Sequence, residues 1–202
     1  LDITEGVRDA VPIAVVPFGG QAEGGPHDVA EVIASDLQLS GRFKPLERRD
    51  LVARPARGAQ VRFEDWRLLK SDFLVIGRVE PDANGLAVEF ELFNVQTGQQ
   101  LLTRRLATNE RGLRATAHRI SDLIFERLTG IPGAFATRIA YVSVDGRPPS
   151  QRYRLMVADA DGYGPRIVTE SSEPLMSPSW SPDGQSLAYV SFEGKASAIY
   201  VQ

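Results

Sequence analysis

The stretch Ile139-Ala140-Tyr141-Val142-Ser143 returns 48 positions later as Leu187-Ala188-Tyr189-Val190-Ser191. In the second copy Leu187, Tyr189 and Ser191 alternate with Ala188, Val190 and Phe192, the period-2 pattern of a strand with two packed faces. A further strand-like run follows each copy, Tyr153–Val157 after the first and Ala198–Val201 after the second. Ahead of the second copy stands Ser177-Pro178-Ser179-Trp180-Ser181-Pro182-Asp183-Gly184, which reads as a strand running into a tight turn. Pro182 presets φ and Asp183-Gly184 completes the reversal. Trp180 is placed to wedge between neighbouring sheets. A strand-sized repeat at this spacing is near the roughly 40–50 residues of one β-propeller blade. The alternative is a plain meander whose two halves resemble each other by chance.

Upstream of residue 130 the pattern differs. Ile13–Phe18 is an unbroken apolar run, as for a strand buried on both faces. Gly19-Gly20 and Gly24-Gly25-Pro26 mark a loop. Val29–Leu39 reads as a helix with Val29, Ile33 and Leu37 on one face, Asp28 near its start and Gly41 beyond its end. Phe43–Leu46 is a short edge strand, because Pro45 cannot donate to a ladder. Residues 47–59 carry Arg48, Arg49, Arg54 and Arg57 and read as a solvated polar loop. Phe63–Leu69 is a short helix anchored by Trp66. Phe73–Val79 is a second buried strand. Asn84-Gly85 and Thr97-Gly98 turn the chain through Leu86–Phe93 and Leu101–Ala107, a three-strand meander with one buried and one mostly wet face. Asn109 or Thr108 caps a long helix whose apolar stripe is Leu113, Ala117, Ile120, Ile124 and Leu128, and Gly130 and Pro132 end it.

These elements predict four regions. Residues 1–11 show no sustained periodicity and read either as a frayed tail or as an N-terminal partner-binding segment that adds to a partner's sheet or groove. Residues 12–130 form an α/β domain, a mixed sheet with two main helices on one face. Residues 131–136 are a linker, and residues 137–202 begin an all-β partial propeller.

A chain of 202 residues is long enough for a substantial core. The net charge is −3, with 20 arginines against three lysines, so bulk electrostatics argue against nucleic acid or an anionic membrane as the main partner. No cysteine is present, which excludes disulfides and thiolate zinc sites. No apolar run approaches the roughly 20 residues of a membrane span, so no direct membrane insertion is expected. No signal segment opens the chain, so an exported form is expected to be the processed one.

Chemistry is sparse. The Gly19–Gly25 loop lacks the Lys-Ser/Thr of a phosphate cradle, and no G-x-S-x-G elbow supplies a nucleophile. His27 sits beside a helix start. His118 reads as lying on the polar flank of the long helix, paired with Asp122 one turn on. Glu89 and Glu91 share a wet strand face. Asp159-Ala160-Asp161-Gly162 resembles the start of a calcium loop, but Val168 stands where the bidentate Glu is needed, so a turn is expected. The expectation is therefore no enzyme activity, no catalytic residues, no metal and no cofactor.

Several motifs together carry a resemblance. They are Pro12–Phe18, Ser40-Gly41-Arg42-Phe43, Phe125–Ile131, Gly133–Val142 and Pro174–Gly184. In this order they are similar to the TolB family, periplasmic propeller proteins of the Tol–Pal system of Gram-negative bacteria. The last motif alone is weak, since its Trp-Ser-Pro-Asp-Gly turn also occurs in propellers of prolyl-oligopeptidase-like proteins. The resemblance implies an N-terminal α/β domain similar to anticodon-binding domains of synthetases, followed by a six-bladed propeller. It implies a non-enzymatic periplasmic adaptor linking TolA and the outer-membrane lipoprotein Pal, supporting outer-membrane integrity and constriction at division. Other outer-membrane or peptidoglycan-associated proteins are further candidate partners, and nucleic acid is not. Leu1, Asp2, Ile3, Thr4, Glu5, Gly6 and Val7 occupy the place of the family's TolA-binding segment. Ser172, Glu173, Pro174, Leu175 and Met176 join one blade to the next and are named for the Pal-facing surface. Residues 137–202 amount to about one and a half blades at roughly 40–45 residues each, so a fragment of a longer protein is expected. An alternative is the propeller accessory domain of a peptidase-like protein. RNA binding through the synthetase-like domain is disfavoured by the acidic balance.

Overall fold

The first apolar run becomes β1 (Val11–Val15), and it is buried on both faces, as a continuous Val/Ile run predicts. Ile13 and Val15 face one core, while Ala14 and Val16 face a second. This computed structural model describes residues 10–25, 27–83 and 85–202, which fall into two units divided between Ala136 and Thr137.

In the first unit, among the described residues, five strands form one mixed sheet in the order β2-β1-β3-β4-β5. β2 (Phe43–Pro45) and β3 (Phe73–Asp82) flank β1 and run parallel to it. β3, β4 (Gly85–Asn94) and β5 (Gln100–Thr108) then alternate as the predicted meander. Pro12 is tolerated inside this sheet because it stands where the ladder with β3 begins. Val11 N–H still donates to Arg42 O (2.9 Å), and Pro12 O accepts from Asp72 N–H (3.0 Å). Asn84, half of the predicted hairpin turn, lies outside the described residues.

α1 (Val29–Leu39) and α3 (Leu113–Thr129) pack together on one face of the sheet. Ile33 and Leu37 meet Ala117, Ile120 and Ile124 over Val75, Val88, Phe90 and Leu92. The other face is not open. α2 (Phe63–Leu68) and the arginine-bearing loop cover it, with Trp66 fully buried among Leu74, Ile76 and Val95. The expectation of a solvated loop at 47–59 holds for Arg49, Arg54 and Arg57, whose side chains are exposed, and fails at the points where the loop touches the sheet and α1. Leu51 packs on this second core, while Arg48 pairs with Asp28 (2.8 Å) and Glu31 (3.0 Å) and Arg57 with Glu80 (3.1 Å). The wet face expected for β4 is corrected likewise. Ala87 and Phe93 are buried on it, Glu89 meets Arg78 at 2.7 Å, and Glu91 accepts from Gly58 N–H at 3.0 Å. Gly77 makes this crossing possible, because a Cβ there would lie 2.4 Å from the Phe18 ring and 2.6 Å from Glu89 O.

Asp28 is the N-cap of α1 and is only 3 % exposed. Its carboxylate accepts from Glu31 N–H (3.1 Å) and Gly24 N–H (2.7 Å) and faces the Arg48 guanidinium. Asp28→Ala removes the cap and one of the acids that Arg48 bonds, leaving Arg48 with Glu31 and Glu23. It is expected to destabilise this unit by about 2 kcal/mol, at the upper end of cap losses. Urea unfolding read by exchange of α1 amides checks this, and an unchanged midpoint would remove Asp28 from the account.

The second unit consists of two three-stranded antiparallel sheets. One holds β6 (Arg138–Asp145), β7 (Arg152–Asp159) and β8 (Arg166–Ser171). The other holds β9 (Leu175–Trp180), β10 (Leu187–Ser191) and β11 (Ala198–Val201). The repeated pentapeptide is β6 in the first and β10 in the second, so β7 matches β11. β9 then has no counterpart ahead of β6 among the described residues, and β8 has none after β11. Each sheet is thus three strands of a four-stranded blade. Leu155 and Val157 from one sheet meet Leu175, Leu187 and Tyr189 from the other, with Trp180 half-buried between them as its sequence position predicts.

Candidate partner-binding surfaces

Leu1 to Val7, the candidate TolA-binding residues, lie outside the described residues. What is visible is the root of that segment. Val11, at the start of β1, is paired in register with Phe43 of the edge strand β2. Beside it opens a cavity of about 290 Å³, lined among others by Val11, Phe43, Phe73 and Leu128.

Residues 172–174 connect β8 to β9, while Leu175 and Met176 open β9, and the side chains of the five divide. Ser172 and Glu173 are exposed, Pro174 is half-buried, and Leu175 is 4 % exposed within the core of the unit. Met176 is 50 % exposed. The reason is a bulge. Ser177 takes a left-handed φ of 51°, and the β9–β10 register shifts between Ala188 and Val190, so Ser177 and Pro178 together face Tyr189. Met176 and Ser177 are therefore exposed in succession, which strict alternation would forbid. The surface available from this loop is Ser172, Glu173, Pro174 and Met176.

The turn after β9 is built by Asp183. Its carboxylate accepts from the Ser181 hydroxyl (2.5 Å) and Gln185 N–H (3.1 Å), and these bonds hold its pKa below the ordinary aspartate value. Gly184 takes φ 68°, and its carbonyl accepts from the Arg138 guanidinium (2.8 Å). Arg138 also lies 4.7 Å over the Trp180 ring. One arginine at the start of β6 therefore latches the turn of the neighbouring sheet, a link with no local signal in the sequence. On the first sheet Arg154 bonds Glu170 at 2.5 Å and also pairs with Asp145. Hydrogen bonding to Arg154 pulls the Glu170 pKa down, and the same bond raises that of Arg154. Asp159–Gly162 forms the turn expected of it, with Gly162 N–H on Asp159 O at 2.8 Å.

The pairing of His118 with Asp122 is corrected. His118 is 3 % exposed, and its Nδ1 lies 2.8 Å from Oδ2 of buried Asp36 on α1. The α1–α3 contact takes the imidazole inward, away from the surface on which an i, i+4 pair would form. Asp122 instead accepts from Phe135 N–H (2.7 Å) and Ala136 N–H (3.2 Å). His27 is exposed, and its carbonyl accepts from the Gln21 side chain.

A family model described as the TolB amino-terminal domain matches residues 1–101, and one described as the TolB beta propeller domain matches residues 125–202. The chain belongs to the TolB family. The Tol-Pal system protein TolB of Alkalilimnicola ehrlichii is 48% identical over 204 residues, covering 100% of this chain and 48% of that protein. The protein of the same name from Xanthomonas euvesicatoria pv. vesicatoria is 46% identical over 205 residues, covering 100% of this chain and 47% of that one. The crystal structure of TolB from Acinetobacter baumannii matches with a TM-score of 0.84 and 39% identity, over 96% of this chain and 47% of that one. The chain spans about half the length of the curated TolB relatives it matches. Among the described residues no helix is long and apolar enough to cross a membrane.

Proposed function

We propose that this chain is part of a non-enzymatic periplasmic adaptor of the Tol–Pal cell-envelope system. In this reading Leu1–Val7 engages TolA and the propeller binds the lipoprotein Pal, with Ser172, Glu173, Pro174 and Met176 contributing to the Pal-facing surface. The adaptor so formed supports outer-membrane integrity and constriction at division. The observation that carries the reading is the match of the whole chain to proteins named as Tol-Pal system components at 46–48% identity. The architecture suits it. A segment leading into Val11, at the start of β1, can add to a partner's groove, while rigid antiparallel sheets present loops without any need for a reacting group. If the segment folds back on its own domain when Pal is bound, TolA loses its ligand, a population shift between two states.

Deleting residues 1–7 from the full-length protein and titrating it with TolA tests the assignment. Binding is expected to weaken by roughly 100-fold or more, as for removal of a segment that carries the main anchors. Binding of Pal to the same variant is expected to persist. Undiminished TolA binding would refute the assignment.

A further inference from the structure

The connection at 131–136 reads in sequence as a linker, yet its contacts are those of a docked segment. α3 ends at Gly130, which takes a left-handed φ of 73°. The Thr129 hydroxyl then accepts from Ile131 N–H (3.1 Å) and turns the chain back along the helix. Two residues further on, Gly133 lies against Asp122, about two turns before the end of α3. A Cβ on Gly133 would meet Asp122 Oδ1 at 2.4 Å and its Cα at 2.5 Å, so only glycine permits this approach. Asp122 then takes both Phe135 N–H and Ala136 N–H on its two carboxylate oxygens. The Phe135 ring meets Phe125 edge-on at 5.6 Å, and Phe125 meets Phe43 of β2 at 6.1 Å. Two amides on one carboxylate and a run of three rings are more than a tether needs.

We propose that residues 131–136 are a strap, clamped on α3 by Asp122, that fixes the point from which the chain leaves the α/β unit. Only Thr137 separates the strap from β6. The clamp holds whichever partners the protein binds, and its failure would leave the adaptor reading untouched.

Amide exchange on the 202-residue chain tests it. In the native chain the Phe135 and Ala136 amides are expected to exchange slowly. In Asp122→Ala both should exchange roughly 10- to 100-fold faster, the loss expected of hydrogen bonds to a charged acceptor. The amides of Ile120 and Ile124 should keep their rates, which separates release of the strap from unfolding of α3. Asp122→Asn keeps one carbonyl acceptor and should fall between the two, and Gly133→Ala should release the strap by collision alone. Limited chymotrypsin digestion is a second reading: cleavage after Phe135 should appear in Asp122→Ala and be slow in the native chain. Free-peptide exchange at Phe135 in the native chain, or unchanged exchange in Asp122→Ala, would overturn the proposal.

Discussion

Trp66→Ala is expected to destabilise the α/β unit by about 3–5 kcal/mol, the range for emptying a buried tryptophan site. Trp66 is 1 % exposed and belongs to a helix of only six residues. So short a helix has little stability of its own and is held by what it buries. Its indole fills the space between α2 and the sheet residues Leu74 and Ile76, with Val95 at the margin. Alanine leaves a cavity that neighbouring side chains cannot close, and it frees α2 and the loop before it from the second face of the sheet. The effect should be read as faster exchange of Leu74 and Ile76 amides in β3, which report this unit separately from the propeller sheets. A loss below 1 kcal/mol would mean that α2 is not what covers this face.

The second large effect concerns the pair buried between the two main helices. Asp36 is 2 % exposed and His118 3 % exposed, at a separation of 2.8 Å. Removing either partner leaves the other polar group in a site with little access to water. Each of Asp36→Ala and His118→Ala is expected to cost about 3 kcal/mol or more. The double variant should cost clearly less than the sum, because the contact between the two is then lost once rather than counted in each single variant. Urea midpoints of the three variants, followed through α1 and α3 amides, complete the cycle. Strict additivity would show that the two side chains contribute independently.

Much of the architecture was legible in local pattern. The 48-residue echo marked the two propeller sheets. The stripe Leu113, Ala117, Ile120, Ile124 placed α3 and its buried face, and Asn109 caps the turn before it through Gly112 N–H at 3.0 Å. What was misread lay in pairings between distant positions. His118 was matched with its neighbour on the helix, whereas its partner stands 82 positions away. Arg48 alone of the arginines in 47–59 is largely withdrawn from solvent, and its acids, Glu23, Asp28 and Glu31, belong to other elements. Leu175 was read as part of a loop surface, and its burial depends on a bulge that no single residue announces.

From its own residues, then, this chain specified its strands, its helices, their apolar faces and the family to which they lead. Those features repeat every two or every three to four positions, and such periods survive without any partner in view. The tertiary structure alone decided that α2 seals the second face of the sheet, that Asp36 and His118 meet, that Arg138 latches the turn of the next sheet, and that Asp122 holds the strap. Each of these joins groups whose neighbourhood arises only when separate elements come together, because the geometry of one polar contact leaves no periodic trace along the chain.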